Sequence, residues 1–138
     1  MVDYSEKFDK MRVAGKLAAK TLDMLTDNIR PGVSTDFIDK LGYEFIRDNG
    51  AYSAPLFYRG FKKSLCTSLN HVVCHGIPSD RVLNEGDALN VDVTAIVDEH
   101  YGDTSRMFCV GETPVKVNNL IDTPYESMMR AIKLLEPG

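Results

Sequence analysis

The sequence has 138 residues, of which 43% are apolar, a size and composition that suit one folded domain with a buried core. Its 16 basic residues are outnumbered by 20 acidic ones, which gives a net charge of −4, so we expect no nucleic-acid or anionic-membrane partner. The sequence also has neither a long apolar run nor a secretion signal, and its three cysteines lack Cys-x-x-Cys spacing, so a reducing cytoplasm is favoured.

Two amphipathic helices are predicted first. Apolar residues recur with helical spacing over residues 5–29, and this helix is predicted to end at Arg30-Pro31-Gly32 because proline has no backbone N–H. Ser34 or Thr35 is predicted to cap a second helix that ends near Gly50. The apolar residues predicted to face inward are Phe8, Met11, Leu17, Leu22, Leu25 and Ile29 in the first helix, and Phe37, Ile38, Leu41, Phe45 and Ile46 in the second.

Short strands are predicted after the helices. A loop rich in aromatic residues, interpreted as a wall of a site, contains Tyr52, Phe57, Tyr58 and Phe61. Strands are predicted over residues 65–70, 88–97 and 101–110, and a last helix runs from Asn118 or Asp122 to Leu135. Pro124 is expected to be tolerated only in the first turn of that helix. This order of elements predicts an α+β fold.

The first and last helices end in similar sequences. Asp27-Asn-Ile-Arg-Pro-Gly resembles Lys133-Leu-Leu-Glu-Pro-Gly. Because Pro-Gly is a common helix stop, the match fits either chance or an internal repeat whose second copy begins at the last helix.

Two aspartates are predicted to lie together on a hairpin. Side chains alternate along a strand, so Asp92 lies on the face opposite Val91 and Val93. A two-residue loop at residues 98–99 would pair Thr94 with Asp103, which places both aspartates on one face at a backbone separation of roughly 7–8 Å. A three-residue loop would place them on opposite faces.

Neighbouring carboxylates repel each other, so such a pair needs a shared proton, a cation or solvent. Oxygen ligands suit magnesium, manganese or iron(II) better than a thiolate zinc site, although catalytic sites also mix carboxylates with histidine. The pattern alone leaves open that Asp92 and Asp103 line a solvated sheet face, or that Asp103 caps a turn near Gly102.

Three blocks of sequence resemble one known family, the type I methionine aminopeptidases. They are Ser68-Leu-Asn-His-Val-Val-Cys-His-Gly-Ile-Pro-Ser-Asp, Leu89-Asn-Val-Asp-Val-Thr and Gly102-Asp-Thr-Ser-Arg-Met-Phe. Weaker likeness in Arg30-Pro-Gly-Val-Ser-Thr and other segments extends the resemblance over essentially the whole chain. It implies the N-terminal half of the pita-bread fold, with helices packed on an antiparallel sheet, and removal of the N-terminal methionine from nascent proteins by two-metal hydrolysis.

The resemblance also implies roles for individual residues. Asp92 matches a ligand of one metal and Asp103 a carboxylate that bridges two divalent ions, whose identity among Co, Mn, Fe, Zn and Ni is left open. His75 matches a histidine that contacts the scissile amide and assists catalysis. Three residues match the pocket for the methionine side chain: Tyr58, Phe61 and Cys66. Without the resemblance, His75 would be interpreted as a turn residue and the aromatic residues as core.

The sequence departs from the family pattern beside this pocket. Arg59 replaces a histidine and Pro55 a cysteine that many members carry, which makes the specificity less secure than the metal positions. His71 and His100 match no functional position and are predicted to be surface or structural residues.

The expected second half of the fold would supply the remaining ligands, a histidine and two glutamates. We therefore expect residues 1–138 to be a truncated N-terminal half that is inactive alone, with a C-terminal half as its missing partner. The alternative is a non-catalytic half-fold that binds protein N-termini or a partner protein. Pairing of two copies is disfavoured, since it would bring together four aspartates and no suitably placed glutamate.

Overall fold

The structure, a computed structural model, describes residues 4–137. Three α-helices and four β-strands form an α+β fold, as predicted. In chain order they are α1 (Ser5–Thr26), α2 (Thr35–Asp48), β1 (Tyr52–Ser53), β2 (Cys66–Leu69), β3 (Ala88–Val97), β4 (His100–Cys109) and α3 (Val115–Lys133), with a short 3-10 helix at Ala54–Phe57 after β1. Among the described residues, none of the helices has the length and apolar character needed to cross a membrane.

The four strands form one antiparallel sheet around β3. One edge of β3 pairs with β1 and β2, and its other edge pairs along its full length with β4. Within residues 4–137, β4 pairs with β3 alone, so its outer edge is unpaired. Helices α1 and α2 cover one face of this sheet, and we call the other face the free face.

The core lies between the sheet and the first two helices. Leu89, Val91, Val93 and Ala95 on β3 are fully buried and pack against apolar residues of α1 and α2 such as Leu22. Because side chains alternate along a strand, Asn90, Asp92, Thr94 and Ile96 lie on the other face, which the helices do not cover. The packing of the core thus determines which side chains the free face presents.

Close contact between α1 and β4 depends on Gly102. A Cβ atom at this position would lie 2.1 Å from the carbonyl carbon of Ala14 and 2.2 Å from the amide nitrogen of Gly15. Only glycine lets the two backbones approach this closely. Arg106 on β4 adds an ion pair with Asp23 on α1, at 2.8 Å.

The predicted start of α2 is confirmed. Ser34 is the N-cap, and its side chain accepts a hydrogen bond from the backbone N–H of Phe37 at 3.2 Å. The helix ends at Asp48, close to the predicted Gly50. Phe37 itself, predicted to face inward, is 44% exposed, so that prediction is wrong.

The first helix is shorter than predicted, ending at Thr26 rather than at residue 29. Ile29 is still buried, in the turn that follows the helix. Phe8 and Met11 were expected to face inward, but both are about half exposed. The helix meets the sheet at Ala14, opposite Gly102 near the hairpin turn, so its earlier turns run past the end of the sheet.

The last helix begins at Val115, several residues earlier than predicted, and Pro124 lies in its interior rather than in its first turn. The expectation for Pro124 is therefore wrong. None of the residues of α3 is buried, so the carbonyl left without an N–H partner by proline can be solvated. The side chain of Asn118 holds the start of the helix through contacts with Thr113 and Cys109.

Asp39 on α2 fixes the segment that leads into β2. One of its carboxylate oxygens accepts hydrogen bonds from the backbone N–H groups of Ser64 and Leu65 at 2.8 and 2.9 Å, and from the Ser64 hydroxyl at 2.6 Å. All three residues are buried. Cys66 follows directly, so Asp39 positions the beginning of the strand that carries it.

Asp39→Ala is expected to lower the free energy of unfolding by about 3 kcal/mol, because it leaves two buried N–H groups without their acceptor and removes one of the two acceptors of the Ser64 hydroxyl. Urea denaturation followed by circular dichroism measures this change. Asp36→Ala is a suitable control, since Asp36 on the same helix makes only a partly exposed ion pair with Lys63. Equal losses in the two variants would contradict the assigned role of Asp39.

Candidate metal centre

The hairpin formed by β3 and β4 has the predicted two-residue loop. Asp98 and Glu99 form the loop with φ values of 46° and 63°, a conformation that suits a tight hairpin turn. Thr94 pairs with Asp103, and Asp92 pairs with Ser105. Asp92 and Asp103 therefore lie on the same free face of the sheet, diagonal to each other, as the sequence predicted.

The two carboxylates influence each other electrostatically. Partial burial raises the pKa of Asp92, and the negative charge of Asp103 and a hydrogen bond with it raise that pKa further, while His75 lowers it. Asp92 is half-buried and Asp103 is exposed. A shared cation would relieve the repulsion that raises the pKa of Asp92.

The donor set fits part of a divalent metal site. Asp92 and Asp103 offer carboxylate oxygens on one surface, which suits hard or borderline divalent ions. Within residues 4–137, no three residues among His, Cys, Asp and Glu are grouped closely enough to hold a metal ion. The described residues thus offer two carboxylates that could act as metal ligands, and they do not complete a coordination shell by themselves.

A cleft of about 830 Å³ lies over the two aspartates on the free face. Every residue that the sequence assigned to the site lines it: Tyr58, Phe61, Cys66, His75, Asp92 and Asp103. The remaining lining residues are Ala54, Pro55, Phe57, Arg59, Gly60, Ile77, Thr94, Ile96 and Tyr101. The fold therefore brings the predicted residues together from the aromatic loop, from β2, from the loop that follows β2, and from the hairpin.

Cys66 lies directly opposite Asp92 in the paired strands β2 and β3. Burial, followed by the negative charge of Asp92, raises the pKa of the Cys66 thiol to about 11. The thiol is therefore protonated at neutral pH, and a protonated thiol is a poor metal ligand. Cys66 acts in this geometry as a small apolar part of the cleft wall.

His75 reaches the cleft from a loop that is pressed against β2. Its own φ is 54°, and a Cβ atom on the following Gly76 would lie 2.2 Å from the carbonyl oxygen of Thr67. Gly76 also exchanges hydrogen bonds with β2, donating to the Ser68 hydroxyl at 3.1 Å and accepting from the Thr67 N–H at 2.8 Å. This close approach holds the exposed His75 ring beside Asp92.

Sequence reasoning missed Ile96 and Tyr101 as parts of the cleft. The two residues pair across the hairpin, and Tyr101 lies two positions from Asp103 on the same face. The alternation of side chains along a strand, which predicts that both aspartates share one face, also places Ile96 and Tyr101 on that face and could have identified them. Of the other histidines, neither lines this cleft; His71 is exposed, and the His100 Nδ1 lies 2.6 Å from the backbone carbonyl oxygen of Asp98.

Comparisons with known proteins agree with this geometry. The family model of metallopeptidase family M24 matches residues 9–138. A methionine aminopeptidase of Rickettsia prowazekii is 53% identical over 98% of this chain and 52% of its own length, and methionine aminopeptidase 2 of Mycobacterium tuberculosis is 45% identical over 99% and 48%. This chain thus spans about half the length of these curated relatives.

Solved structures show the same fold. The crystal structure of methionine aminopeptidase from Rickettsia prowazekii superposes with a TM-score of 0.95 at 51% identity, covering 100% of this chain and 56% of that one. The enzyme from Thermotoga maritima superposes with a TM-score of 0.94 at 32% identity and the same coverage. The α+β arrangement described above therefore matches half of the pita-bread fold. The chain belongs to metallopeptidase family M24 and is similar in sequence and structure to methionine aminopeptidases.

Proposed function

We propose that residues 1–138 form the N-terminal half of a cytoplasmic methionine aminopeptidase, which removes the first methionine from nascent proteins by two-metal hydrolysis. The observation that carries this proposal is the pair Asp92 and Asp103 on one open face, inside a cleft that also contains His75. The similarity to methionine aminopeptidases supports it. The free thiols of all three cysteines are consistent with a reducing compartment.

Under this proposal, Asp92 and Asp103 would hold two divalent ions, drawn from Co, Mn, Fe, Zn and Ni. When bound, such ions supply Lewis acidity and lower the pKa of water. The ring of His75 donates a hydrogen bond at the scissile amide and so stabilises the charge that develops there. The remaining ligands come from the second half.

The apolar part of the cleft accommodates the methionine side chain. Tyr58, Phe61 and Cys66 line the same cavity as the aspartates, and the protonated Cys66 thiol adds no charge to it. An unbranched thioether is flexible and polarizable, which suits a wall of aromatic rings and sulfur. The free amino terminus of the substrate would then lie toward the carboxylates.

A chimera tests the proposed activity. Residues 1–138 replace the aligned first half of the Rickettsia prowazekii enzyme, and methionine release from Met-Ala-Ser is measured with Mn²⁺. We expect release that a chelator abolishes and that Asp103→Asn lowers by more than about 100-fold. The isolated 138-residue chain and the isolated Rickettsia half serve as controls and are expected to be inactive.

The competing function is a non-catalytic half-fold that binds protein N-termini or a partner protein. Within residues 4–137, candidate metal ligands do not occur in groups of three or more. This observation favours the binding module as the function of the isolated chain. A folded chimera that binds Mn²⁺ and the peptide but releases no methionine would overturn the enzymatic proposal in favour of this module. Methionine release that a chelator abolishes would exclude a non-catalytic binding module as the function of the assembled protein.

A further inference from the structure

A row of exposed aromatic side chains extends the cleft away from the two aspartates. Tyr52 pairs with Ile96, and Ile96 pairs with Tyr101, so these three residues cross the free face of the sheet side by side. Tyr101 lies two residues from Asp103 along β4, a distance of roughly 7 Å in an extended strand. We call the surface formed by Tyr52, Phe57, Tyr58 and Tyr101 the aromatic shelf.

The aromatic shelf is far more open to solvent than an ordinary cleft wall. Its four rings are between 59% and 70% exposed, and the Phe57 ring packs against Tyr52 edge-on, with centroids 6.2 Å apart. Three of the four residues, Phe57, Tyr58 and Tyr101, also line the cleft that contains Asp103. Such a cluster of exposed rings, continuous with a site, is typical of a surface that a ligand covers.

Arg59 gives this surface a positive charge. Its guanidinium lies 5.3 Å from the centroid of the Tyr58 ring, and its side chain is exposed at the cleft. Arg47 and Arg106 each form an ion pair with an aspartate, whereas Arg59 has no carboxylate within 4.0 Å among residues 4–137. The aromatic shelf therefore carries an unpaired cation in a chain whose net charge is −4.

The backbone holds Arg59 in this position through a tight turn. Arg59 and Gly60 have φ values of 47° and 80°, and the N–H of Phe61 donates to the carbonyl oxygen of Tyr58 at 2.9 Å. A non-glycine residue with positive φ is in an unfavourable backbone conformation, so the surrounding structure maintains it. The turn thus presents the guanidinium on top of a ring rather than leaving it free in solvent.

We propose that the aromatic shelf and Arg59 bind the segment of substrate polypeptide that follows the first peptide bond, and that they favour acidic side chains in that segment. This inference rests on the proposed function, in which the first residue lies at Asp92 and Asp103 and its side chain contacts Tyr58, the ring where the methionine pocket and the aromatic shelf meet. An extended chain advances about 3.3–3.6 Å per residue, so the third and fourth residues reach roughly 7–10 Å beyond the first. That reach matches the separation of Tyr101 from Asp103 along β4.

The chemistry of the surface favours a peptide with carboxylates. A guanidinium stacked on an aromatic ring remains free to form charge-assisted hydrogen bonds with a carboxylate in its plane. The rings cover the apolar parts of the peptide backbone and side chains without requiring one sequence. A basic segment would instead bring its cations against Arg59.

Peptide binding to the 138-residue chain tests this inference. Fluorescence anisotropy compares C-terminally labelled Met-Ala-Glu-Glu-Ser with Met-Ala-Lys-Lys-Ser in the presence of Mn²⁺, at low and high salt. We expect the acidic peptide to bind about three- to tenfold more tightly at low salt, with a smaller ratio at high salt. Equal affinities, a preference for the basic peptide, or no binding of either would overturn the proposal.

Two variants test whether Arg59 causes the preference for the acidic peptide. Arg59→Asn removes the charge with a residue that tolerates positive φ, and it is expected to bring the affinity ratio close to one. Arg47→Asn is the matched control, because Arg47 also lies over a tyrosine ring, at 5.7 Å from Tyr43, but outside the cleft. An unchanged ratio in Arg59→Asn, or an equal loss in Arg47→Asn, would contradict the inference.

N-terminal acetylation separates this inference from the proposed function. If acetylation abolishes binding while the acidic and basic peptides bind equally, the shelf proposal fails and recognition of a free amino terminus stands. If acetylation has no effect while the acidic preference depends on Arg59, the shelf proposal stands and the placement of the amino terminus at the aspartates fails.

Discussion

Asp103→Asn is expected to lower the affinity of the 138-residue chain for Mn²⁺ by about 10- to 100-fold or more, since the loss of groups that only support a metal's ligands already has an effect of that size. Asparagine keeps the shape of the side chain but removes the charge that, with Asp92, makes the face attractive to cations. The same substitution is expected to stabilise the metal-free chain, because it removes the charge that raises the pKa of Asp92.

Isothermal titration calorimetry measures the affinity, and thermal unfolding with a chelator measures the metal-free stability. Asp98→Asn is the control, since it removes the same charge from the turn of the same hairpin. A merely structural role of Asp103 would give lower stability together with lower affinity. Equal loss of affinity in the two variants would show that Mn²⁺ responds to the general negative charge rather than to the pair of carboxylates.

Gly102→Ala is expected to lower the free energy of unfolding by about 3 kcal/mol, at the upper end of the cost of overpacking. The added methyl group would lie 2.1 to 2.3 Å from backbone atoms of Ala14 and Gly15, and backbone cannot move aside as a flexible side chain can. Relief of the clash requires α1 to separate from β4, which opens the core above β3.

Gly15→Ala provides the matched control on the other side of the same contact. A Cβ atom at Gly15 meets nothing within 4 Å, and alanine in a helix interior is favoured over glycine by about 0.5–1 kcal/mol. Urea denaturation should therefore show a lower free energy of unfolding for Gly102→Ala and a higher one for Gly15→Ala, although both substitutions add the same methyl group at the same contact. Similar effects of the two would contradict the described approach of α1 to β4.

The hairpin shows what could be predicted from sequence. Strand alternation and a two-residue loop sufficed to place Asp92 and Asp103 on one face, because the apolar face of β3 fixes the register and a one-residue slip would bury the carboxylates. The helix cap at Ser34 could be predicted for a similar reason, because it depends on a hydrogen bond to a residue only three positions away.

Other features depend on partners distant in the sequence and could not be predicted. The two-residue strand β1 exists only because Tyr52 and Ser53 pair with Ile96 and Ala95. The exposure of Phe8 follows from the place where α1 meets Gly102, which no periodicity in the helix reveals. The site residues from the loop and β2 were assigned through resemblance, because their own spacing does not indicate that they share a cleft with the hairpin.

The last helix was predicted poorly for a related reason. The sequence places Pro124 in the first turn of this helix, because the missing N–H and the ring of proline usually disrupt a helix interior. In α3 the proline lies in the interior, where the helix is exposed along its length and Leu120, four residues earlier, is open to solvent, so water can solvate the carbonyl that lacks an N–H partner. Sequence alone does not distinguish a solvated helix from a packed one when both have an apolar face.

Under the proposed function, the unpaired outer edge of β4 would make ion binding and the addition of a partner strand thermodynamically reciprocal. Asp103 is carried by this edge strand, whose backbone N–H and C=O groups along that side have no strand partner within residues 4–137. A strand added there would pair with these groups and restrain the part of β4 that carries Asp103. If that restraint strengthens cation binding at Asp103, bound cations strengthen the docking of the strand by the same factor.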